Sequence, residues 1–164
     1  MRTIAAVVLA AALGLVLQST ALHAIPGGAA VPDILLILCV YLGLHRHSVS
    51  GSLGAFVLGY VQDSFSGNAV GLNAAAMCCV YLTIYLTSRR LWVDNLVSKV
   101  VVVFLAAVIK IVVVTVLSMI FISWPVLSGN MLSMLALQAG STAAVGPLIL
   151  RIVAGAERAE PAED

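Results

Sequence analysis

The fold turns on one stretch, Leu96-Val97-Ser98-Lys99-Val100-Val101-Val102-Val103-Phe104-Leu105-Ala106-Ala107-Val108-Ile109-Lys110-Ile111-Val112-Val113-Val114-Thr115-Val116-Leu117-Ser118-Met119-Ile120-Phe121-Ile122. Apolar residues fall on every face of this run, which suits neither a half-buried strand nor an amphipathic surface helix. It is longer than the roughly 20 apolar residues that a helix needs to cross a bilayer. Lys110, in its middle, is a charge that must find a partner, a water cavity or a reachable interface.

The rest of the 164-residue chain is of the same kind, with 62% hydrophobic and 9% charged residues and a mean hydropathy of +1.15. A soluble domain is about half apolar and about a quarter charged, so this composition excludes a cytosolic enzyme. Eight Lys and Arg stand against seven Asp and Glu. There is no basic excess to hold nucleic acid and no acidic tract.

Working outward from the quoted run, breaks and apolar stretches predict six spans, at about 3–22, 32–45, 48–62, 69–87, 96–122 and 131–153. Pro26-Gly27-Gly28 and Pro32 separate the first two, and His45-Arg46-His47 interrupts the chain after the second. Residues 155–164 are charged, include Pro161 and read as a disordered cytoplasmic tail. The first span also fits a signal peptide, since Ser19-Thr20-Ala21 resembles a cleavage site; an uncleaved anchor fits the membrane-embedded remainder better. Pro147 should kink the sixth span near its inner end.

Orientation follows from the basic residues, because cytoplasmic loops hold the excess of Lys and Arg. Arg2, Arg46, Arg89, Arg90, Lys99, Arg151 and Arg158 fall at the N-terminus, the second loop, the fourth loop and the C-terminus. The chain is thus expected to be an all-α integral membrane protein, a six-transmembrane-helix bundle with both termini cytoplasmic. Trp92 and Trp124 take the places of interfacial aromatic residues on the inner and outer sides. The second and third spans are short, and a re-entrant hairpin would put His45-Arg46-His47 into lipid. Short, shielded spans are the better reading.

Four of the seven acids lie in or beside the C-terminal tail and Asp94 lies in a cytoplasmic loop, which leaves Asp33, Asp63 and Lys110. Measured along helices from the inner side, Lys110 and Asp63 reach about 18 Å and about 22 Å. This arithmetic predicts an intramembrane ion pair between Asp63 and Lys110, with Gln62 or Asn73 completing the hydrogen bonds. The alternative is that Asp63 ends its helix among outer headgroups and Lys110 is neutral or paired elsewhere.

Gly51, Ala55 and Gly59 recur at intervals of four, so one face of the third span is flat enough for close helix approach. It serves either packing within the bundle or docking of another membrane protein. Ala136, Gly140 and Ala144 repeat the pattern on the sixth span. No catalytic set, phosphate-binding loop or metal-ligand spacing is present, so neither a cofactor nor an enzymatic activity is expected. Cys39, Cys78 and Cys79 read as packing residues rather than a disulfide framework, and His23, His45 and His47 as loop residues.

The run Pro32-Asp33-Ile34-Leu35-Leu36-Ile37-Leu38, then Tyr41-Leu42, Gly51, Phe56 and Gly59, then Asp63-Ser64-Phe65-Ser66-Gly67 and Gly71-Leu72-Asn73-Ala74, resembles the bacterial rod shape-determining protein MreD family over about residues 31–90. The matching positions are Pro32, Asp33, Gly51, Gly59, Asp63, Gly67, Gly71 and Asn73. The resemblance implies a non-enzymatic, multi-pass protein of the bacterial inner membrane. It would act as a scaffold of the cell-elongation complex that binds MreC and supports peptidoglycan synthesis along the side wall. Through MreC it would be linked to the MreB filament, a SEDS glycosyltransferase and a class B penicillin-binding protein. The family is also similar in architecture to the substrate-binding subunits of energy-coupling-factor vitamin transporters. That likeness leaves a small-molecule binder open, with an outward cavity lined by Asp33, Asp63, Asn73 and tyrosines. A third reading, an ion or proton transporter, needs a longer series of titratable groups than this chain offers.

Overall fold

The computed structural model describes residues 11, 14–16, 18, 31–45, 49–66, 71–88, 95–121 and 129–159. Every regular element among them is helical. Ala11, Gly14, Leu15, Val16 and Gln18 belong to an N-terminal helical segment. After it come α1 (Ile34–His45), α2 (Val49–Ser66), α3 (Leu72–Ser88), α4 (Leu96–Phe121) and α5 (Gly129–Ala159).

The centre of the molecule is α1. It has 12 residues, and those from Leu35 to Gly43 are all buried. A helix that is apolar all round is stable only when surrounded, and α1 touches each of α2, α3, α4 and α5. The other four form an arc around it in chain order, with α2 on α3, α3 on α4 and α4 on α5. Ala11 and Leu15 of the N-terminal segment pack against the same core.

Length divides the helices into two kinds. At about 1.5 Å per residue, α1 is about 18 Å long, short of the ~30 Å hydrocarbon layer. Val97–Ile120 within α4 and Ser133–Gly155 within α5 are long and apolar enough to cross a membrane. The outward side of α4 carries Val97, Val101, Phe104, Val108, Val112 and Val116, all exposed. Contiguous apolar surface of this kind is not left in water by soluble monomers.

Small residues set the close contacts. A Cβ on Gly146 would lie 2.9 Å from a Val103 methyl, and one on Gly43 would lie 2.9 Å from Ile84. The helix α5 continues through buried Pro147. It also runs to Ala159, so the stretch expected to begin a disordered tail at residue 155 is helical for its first residues. Hydrogen bonding favours this: once α5 is under way each added residue brings its own backbone bond, and Pro161 stands beyond its end. Most of the first span at 3–22, residues 160–164, the loop tryptophans, His23 and His47 lie outside the described residues.

Candidate functional site

Asp33 begins the site. It stands directly before α1, is 3% exposed, and its Oδ1 accepts the Leu36 N–H at 3.1 Å. This is N-cap geometry, in which a short carboxylate satisfies a free amide of the first turn and meets the positive end of the helix dipole. The Asp33 carbonyl accepts the Ile37 N–H at 3.2 Å, the first bond of the helix proper. Pro32 has no amide to satisfy and presets the turn into α1; its carbonyl accepts from Gln18 Nε2 at 3.0 Å. The Asp33 N–H donates to Thr142 Oγ1 on α5 at 3.0 Å. Thr142 in turn donates to the Gln138 carbonyl at 2.7 Å.

The same carboxylate receives a charge. Lys110 Nζ of α4 donates to Asp33 Oδ2 as an ion pair and to Gln62 Oε1 of α2 at 2.8 Å. Gln62 closes the ring through Nε2, which lies 3.2 Å from Asp33 Oδ2 and 3.4 Å from Oδ1. The Lys110 side chain is 11% exposed. A buried ammonium in low dielectric is tolerated only with such compensation, and here one carboxylate and one amide supply it.

Asp63 is therefore not the partner of Lys110, contrary to the expectation from depth. Its carboxylate is taken by the start of α3. Oδ1 accepts the Asn73 N–H at 2.9 Å and Asn73 Nδ2 at 3.0 Å. Oδ2 accepts the Gly71 N–H at 2.9 Å and the Ala74 N–H at 3.1 Å. Four donors from one helix start make a site for negative charge without a cation. Depth alone missed this because Gln62 and Asp63, one residue apart on α2, face directions about 100° apart. Asn73 likewise serves Asp63, while Gln62 serves Lys110.

Two glycines make that junction possible. A Cβ on Gly59 would fall 2.5 Å from Ala74 Cα and 2.6 Å from the Asn73 carbonyl. Gly59 precedes Asp63 by one helical turn, so the backbone of α3 rests on the first while its amides bind the second. Gly71 has φ +104°, a value that a side chain would strain. Gly51 and Ala55 are buried on the same side of α2, which places that strip inside the bundle. The matching strip on α5, Ala136, Gly140 and Ala144, is exposed.

Of the residues singled out from the sequence, the structure brings together Pro32, Asp33 and Lys110 in one network and Gly59, Asp63, Gly71 and Asn73 in another. Gly67 lies outside the described residues. Sequence reasoning missed Thr142, a single hydroxyl in an apolar helix, and missed Asp33 as the counter-ion. The signal for Asp33 was present: an Asp straight after Pro and before an apolar run is an N-cap pattern. Cys39 buries its thiol and donates to the Met77 carbonyl at 3.4 Å, as a packing residue does.

Both networks bind helix to helix. Each carboxylate is saturated by donors of the chain itself, so what this arrangement does chemically is fix the relative positions of α1, α2, α3, α4 and α5. No curated protein and no solved structure matches the chain. The model of one family does match, that of the rod shape-determining protein MreD, over residues 1–150. The match takes in every residue of the two networks, and the chain belongs to the MreD family, with the role in rod-shape determination that the family carries.

Proposed function

We propose that the chain is a multi-pass scaffold of the bacterial inner membrane, non-enzymatic, with six transmembrane helices and cytoplasmic termini. It binds MreC and so supports peptidoglycan synthesis along the side wall, with the MreB filament, the SEDS glycosyltransferase and the class B penicillin-binding protein as indirect partners. The observation that carries this reading is the saturation of Asp33 and Asp63. The polar residues that bear the family resemblance are spent on holding helices together, as befits a rigid membrane frame. The apolar outer side of α4 and the alternation of basic segments support the bilayer setting.

The small-molecule reading is less well supported. It calls for Asp33, Asp63 and Asn73 to line an outward cavity, whereas these side chains bond to one another's helices. The test is co-expression with MreC and isolation of the complex in mild detergent. Co-isolation at a fixed ratio is expected, with no shift in thermal stability across a vitamin screen. A folded chain that never retains MreC, or one strongly stabilised by a vitamin, overturns the scaffold reading.

A further inference from the structure

A cleft of about 290 Å³ lies between α3 and α4, lined along α4 from Val97 to Ile109 and reaching Leu44 near the end of α1. Ile84 and Ala106 are buried at its base, and Val102, Leu105 and Ile109 continue its apolar wall along α4. From Ser98 to Ile109 the wall runs about 16 Å along the helix. The lining is almost wholly hydrocarbon. Such a space suits a thin flexible chain better than water.

Its mouth has a different chemistry. Thr87 and Ser88 at the end of α3 and Ser98 at the start of α4 form the rim. Thr83 and Ser88 turn their hydroxyls back on their own helix, to the carbonyls of Cys79 at 2.8 Å and Tyr85 at 3.1 Å. Thr87 and Ser98 make no such bond among the described residues. Lys99 follows Ser98 in the first turn of α4. An apolar channel ending in hydroxyl donors, with a lysine next to one of them, is complementary to an acyl chain attached to an anionic phosphate headgroup.

We propose that this cleft binds one anionic phospholipid, with an acyl chain along Leu105 and Ile109 and its phosphate at Thr87, Ser98 and Lys99. The proposal rests on the bilayer setting argued above and adds a specific lipid site to it. Lipid held here joins α3 to α4 near the cytoplasmic end, where the protein's own polar networks do not reach.

The experiment is native mass spectrometry of the full chain in mild detergent, titrated with phosphatidylglycerol or phosphatidylcholine. One phosphatidylglycerol per chain is expected, held about tenfold more tightly than phosphatidylcholine. Leu105→Trp, which fills the cleft, should abolish that binding, and Lys99→Gln combined with Ser98→Ala should remove the preference. Val112→Trp on the exposed side of α4, away from the cleft, should leave binding unchanged. Equal retention of both lipids overturns the proposal, as does unchanged binding by a folded Leu105→Trp variant. So does a dimer of the chain that Leu105→Trp dissociates, since a second copy would then occupy the cleft. Should Leu105→Trp fail to fold, the Lys99→Gln, Ser98→Ala variant decides by the same comparison. Whether the chain fractionates with membranes is read separately, so a failure of the bilayer setting is distinguishable from a failure of the lipid site.

Discussion

Gln62 and Asp63 are consecutive residues of α2 that serve different networks: Gln62 joins Lys110 to Asp33, and Asp63 holds the first turn of α3. One turn of helix thereby anchors three neighbours in two directions. Between them the two residues connect α2 to α1, α3 and α4. The Asp33–Thr142 bond adds α5.

The ion pair should show itself as a coupling. Removing Lys110 alone leaves the Asp33 charge buried, and breaking a buried pair in this way costs about 3–5 kcal/mol. Lys110→Met is therefore expected to be strongly destabilising in detergent unfolding experiments. Asp33→Asn keeps a good N-cap but strands the ammonium. The double variant should lose less than the sum of the two single losses, by at least about 1 kcal/mol. Strict additivity would mean that the pair contributes nothing.

Asp63→Ala tests the second network, and its effect should be local. Hydrogen bonds to a charged group contribute about 1.5–3 kcal/mol each, and this carboxylate accepts four. Allowing for shared loss, a destabilisation of about 3 kcal/mol or more is expected. Hydrogen exchange should accelerate at the amides of Gly71, Asn73 and Ala74 while those of α1 stay protected. Uniform acceleration across both helices would place Asp63 in the Lys110 network instead.

Thr142 offers a finer test, because its oxygen both accepts from Asp33 N–H and donates to Gln138. Thr142→Val keeps the shape and leaves a buried amide without its acceptor, at a cost of about 1–3 kcal/mol. Thr142→Ser keeps both bonds and should unfold close to wild type. A loss for Ser as large as that for Val would mean that the two hydrogen bonds are not what stabilises this position, since Ser keeps both and gives up only the methyl.

How much of this could be read from the sequence depends on which property carried the information. The helices α1 to α4 overlap apolar runs bounded by turn residues, because helix breakers act locally. Hydropathy also isolated Asp33, Asp63 and Lys110 as the charges without an obvious place. The pairing among them was not legible, since depth is one coordinate and azimuth is another: Asp63 stands at the right height but faces α3. Asp33 was hidden by lying before its helix rather than within it, and Thr142 by being an ordinary hydroxyl in a long apolar segment. The central place of α1 left only its uniform hydrophobicity as a trace, and that is shared with outward-facing helices such as α4.

The two small-residue strips, alike in sequence, should respond oppositely to bulk. Gly59 lies against the backbone of α3, where even a Cβ would come 2.5 Å from Ala74 Cα, so backbone must move to admit it. Gly59→Leu should cost at least the 1–3 kcal/mol or so of ordinary overpacking and should loosen the Asp63 junction one turn away. Gly51→Leu and Ala55→Leu, buried on the same side, should act in the same direction. Gly140 has nothing within 4 Å of its hypothetical Cβ, so Gly140→Leu should leave the thermal midpoint in detergent close to wild type. Its exposed strip with Ala136 and Ala144 is a surface on which another helix can close tightly in lipid. Under the scaffold reading, Gly140→Leu should thus reduce co-isolation of MreC without loss of folded protein, while Gly59→Leu reduces both together. Full retention of MreC by Gly140→Leu would remove α5 from the interface and leave the exposed side of α4 to be tested in the same way.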